Sequence, residues 1–398
     1  MYTEILFLFG GIMTLIIRNG KIFDAVHEEP YIADICVRDG KIAEIGPALD
    51  PADDEILEID ADGLEVYPGF VEAHGHIGLD GYGIGFEGQD YNEMGDILSP
   101  QLRAIDGICP GDFAFYEAAA AGVTCVATGP GSANVLGGTF AAIKTTGRRV
   151  DDMIVKAEVA MKCAFGENPK RCYRDKGNSS RMSTAAKLRE ILYKAKEYSD
   201  KLAEAADDPS KTPGYNMKLE ALVPVIRGEM PLKAHAHQAD DVFTAIRIAK
   251  EFGVKLTLDH CTDGAIIADE LAEEGYAAFV GPTLGNKSKI ELRSKSFQTP
   301  AVLHAAGVPI SIITDAPVIP LQNLPLCAGL AADAGLPYEE AWKAITVNPA
   351  KLTGIGDRVG SLEPGKDGDI VIWTDDPIKT VGASAWMTIV DGKIVYQK

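Results

Sequence analysis

The stretch Tyr67-Pro-Gly-Phe-Val-Glu-Ala-His74-Gly-His76 decides the fold. A turn dipeptide, Pro68-Gly69, opens a short apolar run that ends in two histidines separated by one residue. Side chains alternate along a strand with a period of two, so His74 and His76 project to the same side. At the C-terminal end of a barrel strand, that side is the mouth where active sites form. Two imidazoles converging there can share one divalent metal ion.

Working outward, short apolar strands alternate with helical segments, the pattern of a parallel sheet wrapped by helices. Barrel strands are expected near Tyr67 to Ala73, Val123 to Thr128, Phe140 to Lys144, Val159 to Ala164, Leu232 to His235, Lys255 to His260, Ala277 to Gly281 and Pro309 to Thr314. Eight strands is the number a (β/α)8 TIM barrel needs, so the fold class is α/β and residues 67–354 form the catalytic barrel. Apolar residues recur at helical spacing from Asp240 to Phe252, and a charged helix is expected from Thr184 to Ala206, capped by Ser183. The span from Phe165 to Met230 exceeds an ordinary βα connection and reads as an insertion over the site.

On the N-terminal side, β-branched runs from Met13 to Val66 are punctuated by Asn19-Gly20, Asp39-Gly40 and Asp62-Gly63, dipeptides that favour hairpin turns. The pattern returns at the other end around Asp391-Gly392. Residues 13–66 and 355–398 are therefore expected to build one small β-sandwich domain, the first part a small antiparallel unit. Residues 1–12 read as an N-terminal extension. The apolar stretch Ile5 to Ile17 is shorter than the ~20 residues that span a bilayer, is broken by Gly10-Gly11 and lacks a basic flank, so neither a membrane span nor a leader is expected.

The chain has 398 residues, 46% of them hydrophobic, enough for a large core. Its formal charge of -20 excludes nucleic acid as a partner, because a phosphate binder needs a basic surface. Seven cysteines, odd in number and without a CxxC pair, indicate neither a disulfide framework nor a thiolate zinc site, and fit a reducing cytoplasm. Gly129-Pro-Gly-Ser132 and Gly137-Gly138 lack the ending of a phosphate-binding P-loop and read as tight turns.

Of seven histidines, five sit at three expected strand ends: His74, His76, His235, His237 and His260. His27 and His304 fall elsewhere. Asp315 follows the apolar run Pro309 to Thr314 at the end of the eighth strand, where a buried carboxylate is costly unless paired or metal-bound. Together with Pro-Gly-Phe-Val-Glu-Ala-His74-Gly-His76 and the closing Val359-Gly-Ser-Leu-Glu-Pro-Gly-Lys-Asp-Gly-Asp369, these residues give a chain that resembles the amidohydrolase superfamily from about residue 13 to the C-terminus. The resemblance is to the branch of imidazolonepropionase and the metal-dependent Xaa-Pro dipeptidases and carboxypeptidases. Glu72 stands where that superfamily more often has Asp.

The resemblance implies one or two divalent metal ions per chain, zinc first among them, held by His74, His76, His235, His260 and Asp315, with His260 either a ligand or a contact to substrate. It gives Asp315 the role of proton shuttle and lets Asp259 orient His260. Lys162 matches the fourth-strand lysine that dinuclear relatives carboxylate; a free ammonium has no lone pair to give a metal, whereas its carbamate offers two oxygens. The alternative is a plain salt bridge at the rim. His237, Arg103, Lys170 and Arg171 are candidates for substrate binding, the last three because cations suit a substrate carboxylate.

The expected activity is hydrolysis of a carbon–nitrogen bond in a small amide, an N-acyl amino acid or a dipeptide. Cyclic amide hydrolysis or ring deamination on the same site stays open, and a non-catalytic scaffold is disfavoured by the complete ligand set. The expected partner is a small-molecule substrate, with no nucleic acid and no membrane, and a homo-oligomer is possible.

Overall fold

The computed structural model describes residues 14–53, 55–80 and 85–398. The extension read at residues 1–12 lies outside them. Among the described residues, sixteen strands form two eight-stranded sheets.

The first sheet uses both ends of the chain. Its N-terminal strands are β1 (Thr14–Ile22), β2 (Tyr31–Arg38), β3 (Lys41–Gly46), β4 (Ile56–Asp60) and β5 (Glu65–Pro68). The barrel sheet follows with β6 (Phe70–Gly75), β7 (Val123–Thr128), β8 (Leu136–Lys144), β9 (Ile154–Ala164), β10 (Leu232–Ala236), β11 (Leu256–His260), β12 (Ala277–Val280) and β13 (Ile310–Ile312). Strands β14 (Ile370–Trp373), β15 (Ala385–Val390) and β16 (Lys393–Gln397) complete the first sheet, β14 lying antiparallel to β5. Tyr67 and Pro68 thus belong to the first sheet, and the barrel begins at Phe70, one residue after Gly69.

The turn dipeptides behave in three ways. Asp39-Gly40 and Asp391-Gly392 each carry two positive φ angles and close the β2–β3 and β15–β16 hairpins. Asn19-Gly20 is no hairpin. It is an irregularity inside β1, where Asp34 accepts from the Asn19 N–H and a Cβ on Gly20 would come within 2.6 Å of Val66. Asp62-Gly63 joins β4 to β5, which both run parallel to β1, so the N-terminal unit is mixed rather than antiparallel.

The barrel sheet runs in order from β6 to β13. Its third strand corrects the all-parallel expectation: β8 lies antiparallel to both β7 and β9. No helix intervenes between β7 and β8, so the chain turns back directly. The sheet is nearly closed. Between its edges, Val71 N–H donates to Ile345 and Ile312 N–H to Ala344, and contacts from Glu72 to Thr314 join β6 to the end of β13.

The long insertion flanks the barrel and also meets the loops at its mouth. Its main helix, Arg181–Asp207, starts at a capping box of Ser180 with Ser183, three residues before the expected start. It packs beside the helix Ala239–Phe252, where Tyr193 meets Phe252 edge-on and Arg189 pairs with Glu251. The insertion's first segment, Glu167–Cys172, reaches the mouth, Tyr173 Oη meets Glu93 and Asn134 in the loops after β6 and β7, and Lys218 pairs with Asp96. Among the described residues no helix is long and apolar enough to cross a membrane, and all seven cysteines are free.

Candidate metal centre

Register brings the site together from four strands. His74 ends β6, Lys162 lies on β9 opposite Lys233 on β10, His235 pairs with Asp259 on β11, and His260 follows. Lys233 and His235 are two residues apart, so both face the barrel interior. Asp315 comes three residues after β13. His74, Lys162, Lys233, His235, Asp259 and His260 are all buried.

The polar partners of these side chains leave selected nitrogens open. His76 Nδ1 lies 2.7 Å from the Gly129 carbonyl and His260 Nδ1 lies 2.7 Å from the Gly281 carbonyl. A carbonyl only accepts, so each Nδ1 carries the proton and each Nε2 keeps a lone pair. That nitrogen of His260 is buried without a partner, as is Nδ1 of His235. Nε2 of His74 and Nε2 of His76 each lie 3.2 Å from the same oxygen of Asp315. Two sets of potential ligand atoms result, His74, His260, Asp315 and His235, His237, His260, each within 4.8 Å and sharing His260. Orphaned lone pairs on neutral imidazoles, fixed by backbone carbonyls behind, are what a divalent metal requires.

Electrostatics agree. Burial pushes His260 down to about 3 and holds His235 and His237 well below the ordinary imidazole range, so all three stay neutral at physiological pH. Burial raises Asp315, and the lowering that His260, His74 and His76 give it requires rings protonated toward the carboxylate; with lone pairs on those nitrogens, an ionised Asp315 calls instead for a cation between them. Backbone geometry is unusual here as well: His260, Cys261 and Asp315 have φ of 72°, 45° and 55°, a left-handed conformation that non-glycine residues adopt at a cost of order 1–3 kcal/mol.

Asp259 does not orient His260. Its Oδ1 accepts from Lys233 at 2.8 Å and its Oδ2 from Lys162 at 3.0 Å, while His74 Nδ1 lies 3.1 Å away, off the line of a hydrogen bond. The role expected for Asp259 is already filled at His260 by the Gly281 carbonyl. Lys162 Nζ also lies 3.5 Å from His74 Nε2, so it stands inside the site and not at the rim. Phe140 stacks on His74 with ring centroids 5.1 Å apart, and a Cβ on Gly129 would collide with that ring at 2.4 Å. Glycine is thus needed where the His76 acceptor passes Phe140.

The candidate substrate cations separate. Arg103 pairs with Glu158 at 3.3 Å, four residues before Lys162 on β9 and away from the mouth. Arg171 is exposed and lies 3.6 Å from Glu167. Lys170, on the same short helix, is half-buried and feels Asp241. His237 sits beside His235 and His260, with Nδ1 2.8 Å from Thr262 Oγ1 and Nε2 3.8 Å from Glu291. His27 pairs with Asp24 and His304 with Glu340, both outside the cluster.

Two features escaped sequence reading. Lys233 had a signal, since Lys233-Ala-His235-Ala-His237 alternates and its lysine must share the histidines' face. Lys289 had none: it lies in Gly285-Asn-Lys-Ser-Lys-Ile-Glu291, which reads as an exposed charged loop. In the fold Lys289 Nζ lies 2.6 Å from Asn168 Oδ1, and Asn168 Nδ2 lies 3.5 Å from His235 Nε2.

A barrel mouth of this composition could hold a divalent metal, and the comparisons with known proteins give the family. Residues 66–395 match the model of the amidohydrolase family, and the chain belongs to that family. The class is that of hydrolases acting on carbon–nitrogen bonds. The crystal structure of an amidohydrolase from Thermotoga maritima MSB8 is 39% identical, covers 96% of this chain and 100% of its own, and superposes with a TM-score of 0.92. Amidohydrolase tasK of Hapsidospora irregularis is 28% identical over 91% of this chain and 40% of its own length. An imidazolonepropionase of Rhizorhabdus wittichii is 34% identical over 36% of each chain. The chain spans less than half the length of these curated relatives.

Proposed function

We propose that this chain is a metal-dependent amide hydrolase whose centre is built by His74, His76, Lys162, His235, His260 and Asp315. The observation that carries the reading is the pair of buried, unpartnered nitrogens, His260 Nε2 and His235 Nδ1, facing the same mouth as Asp315. His74, His76 and Asp315 would hold one divalent ion, zinc by preference, and His235 with His260 a second. Lys162, once carboxylated, would join both sets. A divalent ion so held supplies Lewis acidity, which lowers the pKa of water and polarises a carbonyl.

The protein's own residues do the rest. Asp315, ionised and half-buried, accepts a proton from the attacking water and delivers it to the leaving nitrogen. Nδ1 of His76 and of His260, each tied to a carbonyl, keep the two rings from turning. Phe140 covers one face of His74 and excludes water from it. The proposed substrate is a small amide, an N-acyl amino acid or a dipeptide, and the proposed compartment, from the cysteine pattern of the sequence, a reducing cytoplasm.

The test is elemental analysis of the purified protein beside a hydrolysis screen on N-acyl amino acids, dipeptides and cyclic amides. About two ions per chain, falling in Lys162→Ala, with turnover of an amide is the expected result. No bound metal after reconstitution, or loaded protein inert on every amide, would overturn the reading.

A further inference from the structure

Lys170, Arg171 and Lys289 lie on the segments after β9 and β12, and they differ in what holds them. Arg171 is exposed, pairs with Glu167 at 3.6 Å and lies 3.4 Å from Asn168 Oδ1. Lys170 faces Asp241, which Arg181 already holds at 2.9 Å. Lys289 is different. Its side chain is 23% exposed, its Nζ is hydrogen-bonded to Asn168 at 2.6 Å, and the far end of that amide touches His235. One amide's width therefore separates the ammonium from a candidate metal ligand. Glu291, buried and 3.6 Å from Nζ, fixes the lysine from behind, and its Oε2 is fixed in turn by the Glu167 N–H at 3.0 Å. The same carboxylate lies 3.8 Å from His237, so Glu291 links Lys289 to His237.

We infer that Lys289, with Asn168, forms the subsite that receives a substrate carboxylate, and that the substrate is an amide whose leaving amine carries a carboxylate close to the scissile nitrogen. This rests on the amide-hydrolase reading above and narrows it to N-acyl amino acids and peptides with a free C-terminus. Proximity supports it. In such a molecule the carboxylate stands two bonds beyond the amide nitrogen, and Lys289 is joined to His235 through the single amide of Asn168. Charge supports it too, because a chain of net charge -20 repels carboxylates unless a cation is presented locally. Both partners come from loops, Asn168 after β9 and Lys289 after β12, where substrate selection normally resides in barrels.

The experiment is calorimetric titration of the metal-loaded protein with N-acetyl amino acids and with the matching N-acetyl amino acid amides, which lack the charge. The parent is expected to bind the carboxylates at least about tenfold more tightly, the scale of a hydrogen bond to a charged group. Lys289→Met should lose that discrimination, Lys289→Arg should recover part of it, and Lys287→Met, exposed in the same loop with its Nζ on the Arg293 carbonyl, should keep it. Metal content and melting temperature of each variant establish that the fold and centre persist. A parent that binds both series equally, or a Lys289→Met protein that still discriminates, overturns the subsite. Loss of metal binding or of all amide turnover in the parent would instead overturn the amide-hydrolase reading, so the two failures are distinct.

Discussion

Glu72 Oε2 accepts hydrogen bonds from both the backbone N–H and the hydroxyl of Thr314, at 2.8 and 2.6 Å, across the gap between the first and last barrel strands. Its other oxygen accepts from the His74 N–H at 3.0 Å. One buried carboxylate thus sets the relative height of His74 and of Asp315, the residue after Thr314.

Replacing Glu72 by Ala strands these buried donors. Each unsatisfied donor costs roughly 1–3 kcal/mol, so a loss on the order of 3 kcal/mol or more is expected. Thermal denaturation of Glu72→Ala beside the parent measures it. An unchanged melting temperature would show that the link carries no stability and that the barrel is closed by Ala344 and Ile345 alone.

Metal removal should destabilise the protein as well as inactivate it. A ligand that binds only the folded state stabilises by mass action, and its loss leaves His260 Nε2 and His235 Nδ1 buried without partners. Chelation is expected to lower the melting temperature of the parent and zinc to restore it. His260→Ala, which takes a member from both ligand sets, should show little response to either. A parent whose melting curve ignores both chelator and zinc would contradict a centre at this mouth.

Asp315→Asn separates proton transfer from folding. The amide keeps the size of the carboxylate but cannot accept the proton, and a positioned acid or base is worth roughly 10²- to 10⁴-fold in rate. With metal content held at the parent's level, kcat is expected to fall within that range while the melting temperature of the loaded protein stays near the parent's. Turnover at the parental rate would remove Asp315 from the proton path.

The barrel was legible because its strands are short apolar runs that end in chemically distinctive residues, His74, His235, His260 and Asp315. Strand direction was not. All nine residues of β8 are buried, and a fully buried run lacks the alternation that would reveal its neighbours, so its reversal surfaced only in the hydrogen-bond register. Asn19-Gly20 misled for a related reason: the dipeptide permits a positive φ, and β1 uses that freedom for a bulge under Val66 rather than for a turn. At the site, period two put the histidines on one face, but which nitrogen is held and by what depends on Gly129 and Gly281, remote in sequence from the rings they orient. Lys289 lay outside such reasoning because only tertiary packing brings it to Asn168.

The closing motif finds its partners in the barrel. Lys144 ends β8 with its Nζ 2.7 Å from Asp369, 2.9 Å from Asp367 and 3.1 Å from Asp391. Lys144→Met would leave Asp367 and Asp369 buried at the seam between the two sheets with Lys41 and Arg358 as the cations still paired to Asp367. Breaking such a network from one side costs about 3–5 kcal/mol. Denaturation should show that loss, and Lys144→Met combined with Asp369→Asn should regain part of it. Equal stability of Lys144→Met and parent would mean that the lysine is dispensable to the seam.

A pH dependence should originate at Asp24, far from the metal centre. Burial raises its pKa, but the N–H groups of His27 and Val26, the His27 ring and the Tyr31 hydroxyl outweigh burial and hold the carboxyl below its ordinary value. A carboxyl whose pKa is depressed on folding stabilises fully above its unfolded value of about 3.9, and that contribution disappears as pH falls through the folded pKa. Asp24→Asn lacks the ionisation, so the parent should exceed it in stability from neutral pH down to about pH 4, with the gap narrowing below. Denaturant titrations of both proteins between about pH 7 and pH 3 cover this window. A gap that is constant across it, or that widens in acid, would show that Asp24 acts through shape and not through charge.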